Sequence, residues 1–375
     1  MSPIDLPLPT TQVPAPTRGC DCTACPWWAG PDGTGGPATV EPLCSGNNSD
    51  CSYCGCARAE ADAPAGACGT CPIRCPSRDN LREWMADVGG TLSFDDIALP
   101  DRALPHLPGY IPQVDGTAVT ALDEHLAWPA YAVGLRRVFS PRSHTIYPRW
   151  RDGARAHDLL GLAPGQLAVL SGYGEDPLVE AFWSLRRRDR LIEQIAAQGW
   201  DLVLACNYSI YGNWPRMEHL INMRRSLLLA TEFAEAGLPV VPNVYWFRLE
   251  DLERWAEWID ETRPPAIAIN AQTMRTAADW DSWLLPGLHW LAAHTPVDLP
   301  VIITGLSRPD RISTAVELFG ERLTLLNQTA QAYGLHGEVM GPQGRQRVHA
   351  TTPDAFRSTV RYFASLMPRS SEVPS

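Results

Sequence analysis

The chain of 375 residues contains no lysine; all 31 of its basic residues are arginine. That excludes chemistry that depends on a lysine amine: the P-loop phosphate grip, a Schiff base and the kinase-type lysine. Long apolar runs are missing too. No stretch of about 18 apolar residues occurs, so no membrane span is expected. The opening MSPIDLPLPTTQVPAPTRG has neither a basic start nor an apolar core, so no secretory signal is read there. A cytoplasmic location is expected. Histidine is scarce, and the first is His106. The formal net charge of −11 argues against a general nucleic-acid coat, although local basic patches stay possible.

Cysteine, by contrast, is concentrated. Of the 11 cysteines, ten fall between Cys20 and Cys75, in a segment rich in Gly, Pro and small polar residues. Such a segment has too little apolar content to build its own core, and a bound metal would supply the missing stability. In a reducing compartment clustered thiols point to metal ligands before disulfides. Cys51-x2-Cys54 and Cys68-x2-Cys71, 13 residues apart, have the form of a four-cysteine zinc site. Cys20, Cys22, Cys25 and Cys44 can form a second. Cys68-x2-Cys71-x3-Cys75-Pro76 also matches the latter part of a bacterial ferredoxin run, so an iron–sulfur cluster is the alternative to zinc. Cys56 is left without a role, and the metal is expected to be structural.

The domain plan follows from composition. Residues 1–19 form a Pro/Thr-rich tail and 20–76 the cysteine-rich metal module. Residues 77–130 supply a connecting helix, Ser77–Val88, and loops. An α/β domain spans 131–367 and a tail 368–375. Apolar strands are expected near 109–113, 131–138, 166–171, 201–206, 239–245, 266–270, 300–304 and 322–327. Helices are expected between the later ones, near 177–198, 215–236, 249–261, 279–293 and 353–366. Strands alternating with helices mean βαβ units and parallel pairing. Eight such strands suggest a (β/α)8-like barrel; the alternative is a doubly wound open parallel sheet.

In either fold ligands bind at the carboxyl ends of the strands. Five successive strands here run into amides and hydroxyls: Asn207 and Ser209, Asn243, Asn270 and Gln272, Thr304, and Asn327. These seven are expected to face one pocket. Donors and acceptors without strong bases suit a polar small molecule, such as a nucleoside, a sugar or a phosphate. Glu175 and Asp176, just past the strand at 166–171, could serve as general base or metal ligand, or as caps for the following helix. Cys206 is a candidate nucleophile, or a small buried side chain.

Residues 136–155 hold six arginines and one acid, Asp152, interleaved with Phe139, Tyr147 and Trp150. Arg137, Arg142, Arg149 and Arg151 are therefore candidates for a phosphate or nucleic-acid contact. The plainer reading is a loop paired to the acidic remainder. Arg186–Arg190 and Arg224–Arg225 are expected on solvated helix faces. The Gly-rich stretch 330–347 is expected to be a loop able to cover the site.

The run Asn207-Tyr208-Ser209-Ile210-Tyr211 is followed by Asn222 with Arg224-Arg225-Ser226. Gly237-Leu238-Pro239-Val240-Val241-Pro242 before Trp246, and Thr304-Gly305, complete a pattern. With these motifs the segment from Asp201 to about Asn327 resembles the bacterial and phage family labelled domain of unknown function 4417. Members more often carry an acid where this chain has Asn207. The resemblance covers about a third of the chain and carries over no activity. It implies a phage- or plasmid-associated setting. Two functional classes are thus expected: an enzyme acting on a nucleotide-like or nucleic-acid substrate at the strand ends, or a non-catalytic mobile-element protein that binds DNA or a protein partner through its cysteine module.

Overall fold

The computed structural model describes residues 86–100, 102–115, 119–122, 128–210 and 216–368. The cysteine module and most of the expected Ser77–Val88 helix lie outside the described residues.

The architecture is α/β, with parallel sheets and helices. Eight short strands carry it: β1 Tyr110–Pro112, β2 Ala130–Gly134, β3 Leu167–Ser171, β4 Leu202–Leu204, β5 Val240–Val241, β6 Ile267–Asn270, β7 Val301–Thr304 and β8 Leu323–Asn327. One sheet has the order β2-β3-β4-β5, the other β1-β8-β7-β6, and every pairing within them is parallel. Single parallel bridges, Gln113 with Ala132 and Asn243 with Ala268, join the two sheets at both edges. At these seams Val114 N donates to Ala132 O at 2.7 Å and Val244 N to Ala268 O at 2.8 Å. Because β1 pairs with β8, the parallel strands begin before residue 131, the boundary read from composition.

The helices are α1 Val119–Leu122, α2 Ala156–Leu160, α3 Asp176–Leu185, α4 Leu191–Ala197, α5 Arg216–Glu235, α6 Leu249–Thr262, α7 Ala277–Asp279, α8 Leu285–His294, α9 Pro309–Phe319, α10 Thr329–Leu335 and α11 Thr352–Ser365. Local chemistry sets their starts. Pro177 and Pro309 occupy first-turn positions, where the missing N–H costs nothing. The buried Asp251 carboxylate accepts from Phe247 N and Arg248 N and caps α6. Thr351 caps α11 by accepting from Asp354 N.

Alternate residues along each strand enter two different cores, as the period of two requires. Tyr131, Val133, Ala168, Leu170, Val203, Ile267, Ile269, Val301 and Ile303 pack with the helices. Their neighbours Ala130, Ala132, Val169, Leu202, Leu204, Val241, Ala268, Ile302 and Leu326 form a second apolar cluster of strand residues drawn from both sheets.

Three expectations need correction. The helix expected over 177–198 is two helices, broken at Arg186–Arg190, with Arg190 left-handed at φ 51°. Arg186 in that break is buried, and its guanidinium pairs with Glu232 at 2.6 Å. Arg224 and Arg225 are not on a solvated face either; each is only 1 % exposed. Arg224 reaches out of α5 to the Val88 carbonyl at 2.6 Å and to both carboxylate oxygens of Asp96, closing the segment before β1 onto the body. The stretch 330–347 is no open loop. It folds as α10 and then an antiparallel hairpin, β9 Glu338–Gly341 with β10 Gly344–Arg347. The hairpin is fixed to α11, because Met340 N donates to the Thr359 hydroxyl.

Candidate functional site at the carboxyl ends of the strands

Each sheet is parallel, so its strands end on one rim. On the β6–β8 side the expected residues mostly bond to one another. Asn270 Oδ1 accepts from Gln272 N at 2.9 Å and from the Thr304 hydroxyl at 3.4 Å. Gly305, at φ 84°, lets this turn sit against β7: a Cβ there would lie 2.6 Å from the Gln272 Cα. Asn327 donates to the Leu306 carbonyl at 2.8 Å and accepts from the Tyr110 hydroxyl at 3.1 Å and from Thr329 N at 3.0 Å. Asn243 donates to the Ala205 carbonyl and accepts from the Tyr173 hydroxyl. Buried Asn243, Thr304 and Asn327 thus brace the rim. Asn207, Ser209 and Asn270 are half-buried and Gln272 is exposed, so these four keep surface for a ligand.

The β2–β4 side is more open. Past β3, Glu175 is the residue before α3, but its side chain makes no cap bond; it pairs with Arg136 at 3.2 Å. Asp176 opens α3, where the helix dipole favours a carboxylate, and its Oδ1 accepts the Ser209 hydroxyl at 2.6 Å. Beside it Asn207 Oδ1 is buried and accepts no hydrogen bond among the described residues. The rim here thus holds two linked pairs, Arg136–Glu175 and Asp176–Ser209, with Asn207 two residues before Ser209 in the chain. It combines one cation, two carboxylates, a hydroxyl and an unsatisfied amide oxygen.

Helix α5 holds this part of the rim from below. Asn222 donates to the Ser209 carbonyl at 2.7 Å and accepts from Arg225 at 2.9 Å. Ser226 donates to the Cys206 carbonyl at 2.8 Å, and the Tyr245 hydroxyl to the Asn222 carbonyl at 2.7 Å. Asn222, Arg225 and Ser226 of the Asn-x-Arg-Arg-Ser motif thus position the Cys206–Ser209 segment. Cys206 itself is fully buried, and burial pushes its thiol up to about 12. Burial of this kind disfavours the thiolate, the form a nucleophile needs.

One acid escaped the sequence reading. Asp115 lies three residues past β1 and is 7 % exposed. Its carboxylate accepts from Gly134 N at 2.9 Å and from the Gln328 and Gln113 amides at 3.0 and 3.3 Å. Its own N–H donates to Gln331 at 2.7 Å. The signal was an acid just beyond the strand expected near 109–113.

The loop after β2 leaves from the same rim. Arg142, Arg149 and Arg151 are exposed and Arg137 is half-buried. A separate cleft of about 310 Å³ lies between Phe94–Asp95 and α6, lined by Glu250, Glu253, Arg254, Glu257, Trp258 and Glu261; none of the strand-end residues reaches it. Among the described residues no group of three or more His, Cys, Asp or Glu is placed to hold a metal ion. The candidate ligands Cys20, Cys22, Cys25, Cys44, Cys51, Cys54, Cys68, Cys71 and Cys75 lie outside the described residues. No helix among the described residues is long and apolar enough to cross a membrane. Compared with known proteins, the chain matches no family model and no curated protein.

Proposed function

We propose that the two sheets close into a (β/α)8-like barrel whose carboxyl-end rim binds a nucleotide-like ligand, with Glu175 and Asp176 available for acid–base chemistry on it. Two features support the barrel. The strand faces turned away from the helices share one apolar cluster across both sheets, and single parallel bridges join the sheets at both seams. A doubly wound sheet would put helices on both faces instead.

The observation that carries the ligand reading is the Asn207 amide oxygen, buried without a donor beside the Asp176–Ser209 pair. A buried unpartnered acceptor costs about 1–3 kcal/mol, and a ligand N–H would recover that once the half-buried Asn207 side chain turns its oxygen toward the rim. Arg136, half-exposed on the same rim, supplies the charge an anionic group needs. A base edge and a phosphate on one molecule fit this combination. Asp176 accepts the Ser209 hydroxyl's hydrogen bond, which leaves the hydroxyl oxygen free to accept one from a ligand; Glu175, more exposed, is the better placed general base.

Thermal shift with a panel of nucleosides and nucleotides tests the reading. At about 100 times Kd a ligand adds about 2.7 kcal/mol of stability. We expect at least one nucleotide to raise the melting temperature of the wild type and not of Asn207→Ala. The free variant should be as stable as the wild type, because it loses an unsatisfied group. If no nucleotide shifts the wild type, or if Asn207→Ala responds equally, the reading fails.

We also propose that the cysteine module binds zinc, or alternatively an iron–sulfur cluster, through the thiolates named above. Membership of the domain of unknown function 4417 family is part of the same proposal, supported by the Asn207–Tyr211, Asn222–Ser226 and Thr304–Gly305 motifs.

A further inference from the structure

The loop between β2 and α2 is built, and among the described residues most of its arginines have no carboxylate partner. Its frame is apolar: Phe139 and Ile146 are buried and bridge each other, and Trp150 is 3 % exposed. Trp150 donates from Nε1 to the Arg137 carbonyl at 2.8 Å and packs on Trp200 at 5.2 Å. Arg151 Nε is tied to the Ile146 carbonyl at 2.6 Å, and the Arg149 guanidinium lies 5.7 Å from the Trp150 ring. The backbone that carries the arginines is therefore held by a packed frame.

Several arginines elsewhere sit on acids: Arg186 and Arg187 on Glu232, Arg308 on Asp310, Arg345 on Glu338. Among the described residues only Arg136 of this loop has a carboxylate partner, Glu175. The exposed Arg142, Arg149 and Arg151 form no ion pair among the described residues. The plainer reading, a loop neutralised by the acidic remainder, finds no carboxylate for these three among the described residues. The net charge of −11 does not decide the matter, because at about 0.1 M salt charges more than about 10 Å away are largely screened.

We propose that this surface tracks the phosphodiester backbone of a single-stranded nucleic acid and delivers one of its nucleotides to the strand-end rim. The inference rests on the reading of that rim as a nucleotide site. Continuity carries it: Arg136 begins the loop and also pairs with Glu175 on the rim. Three further guanidiniums exceed what one mononucleotide needs, and they suit consecutive phosphates. A rim site reading a base edge also requires an unpaired base, which a duplex hides.

The test is fluorescence anisotropy on the full chain with a labelled single-stranded 20-mer across 50–200 mM salt. A duplex of the same sequence and poly-glutamate serve as competitors. The variant is Arg142→Ala/Arg149→Ala/Arg151→Ala, checked by circular dichroism; its removed charges are exposed and have no carboxylate partner among the described residues. For single strands the logarithmic salt slope is about −0.7 per phosphate engaged. We expect salt-dependent binding by the wild type. The triple variant should bind about tenfold more weakly or worse, with a slope shallower by about 2 units. Absence of salt-sensitive binding, an unchanged slope in a folded triple variant, or equal competition by duplex or poly-glutamate overturns the proposal. The two readings separate in one further measurement. Mononucleotide binding sensitive to Asn207→Ala, without a gain for the 20-mer, removes the backbone track and keeps the site. Binding of the 20-mer that needs the arginines but ignores Asn207→Ala keeps the track and removes the site.

Discussion

Arg225 of α5 grips Glu180 of α3 with both terminal nitrogens, at 2.8 and 2.6 Å, while its guanidinium lies 3.9 Å from the centre of the Tyr208 ring. One side chain thereby fixes two helices and the floor of the Asn207–Ser209 turn. The guanidinium is buried; the carboxylate is 44 % exposed. Breaking a fully buried pair costs about 3–5 kcal/mol, and the exposure of Glu180 lowers that. Glu180→Gln is expected to destabilise the protein by about 1–2 kcal/mol in urea unfolding. Arg225→Lys should not rescue Arg225→Ala, because an ammonium offers neither the two-pronged geometry nor the flat stacking face. Equal stability of the Lys variant and the wild type would refute this account.

The Arg224–Asp96 pair should make stability depend on pH. The Arg224 guanidinium holds the Asp96 carboxyl below its ordinary value of 3.8. A depressed folded value means the contribution is present above the unfolded value and lost as pH falls through the folded one. Wild type and Asp96→Asn should therefore differ in unfolding free energy at pH 7, with the difference starting to shrink near pH 4 and closing only below the depressed folded value. A difference that stays constant from pH 7 to pH 3 would show that the pair's charge is not what matters.

These two arginines also show where sequence reading stops. All eight strands and the later helices were legible because apolar runs of strand length and apolar stripes of helical period leave direct marks. The break at Arg186–Arg190 was not, because nothing in a run of arginines announces one left-handed residue. Arg224 and Arg225 looked like surface because charge on a helix usually is. Their partners, 128 and 45 residues away, are visible only in three dimensions. The strand-end amides were legible as a rim. Which of them brace it and which keep surface for a ligand was not, since Asn243 and Asn207 look alike in sequence. Only the structure shows Asn243 bonded to Ala205 and Tyr173 while the Asn207 oxygen stays unpartnered.

The cysteines should divide into two classes under alkylation followed by mass mapping. Cys206 is shielded by burial, with its thiol up at about 12, so it should react only on unfolding. The cysteines at 20–75 should be protected by metal and become reactive once a chelator removes it, while the parallel sheets stay folded. Elemental analysis of protein made in a reducing cytosol should find zinc or iron. Metal-free protein whose ten clustered cysteines all react at once would defeat the metal proposal.

Closure of the barrel makes the sharpest demand, because it concerns two seams held by single bridges. In an open sheet β1 or β2 would be an edge, and an edge strand's free amides exchange readily with solvent. In a closed barrel Val114 N, bonded to the Ala132 carbonyl, and Val244 N and Ala268 N, bonded across the other seam, belong to the most protected set. Native-state hydrogen exchange should place all three with the amides of β3 and β7. Asp115 adds a chemical handle on the first seam, since it ties β1 to β2 through Gly134 N and to the segment after β8 through Gln328. Every partner of its carboxylate is a donor. Asp115→Asn would turn an amide NH2 toward at least one of them, leaving a buried donor unmatched at about 1–3 kcal/mol. The variant should lose that much stability and should speed exchange at Val114 more than at Val244. Fast exchange at Val114 in the wild type, or an Asp115→Asn effect spread evenly over both seams, would favour the open sheet.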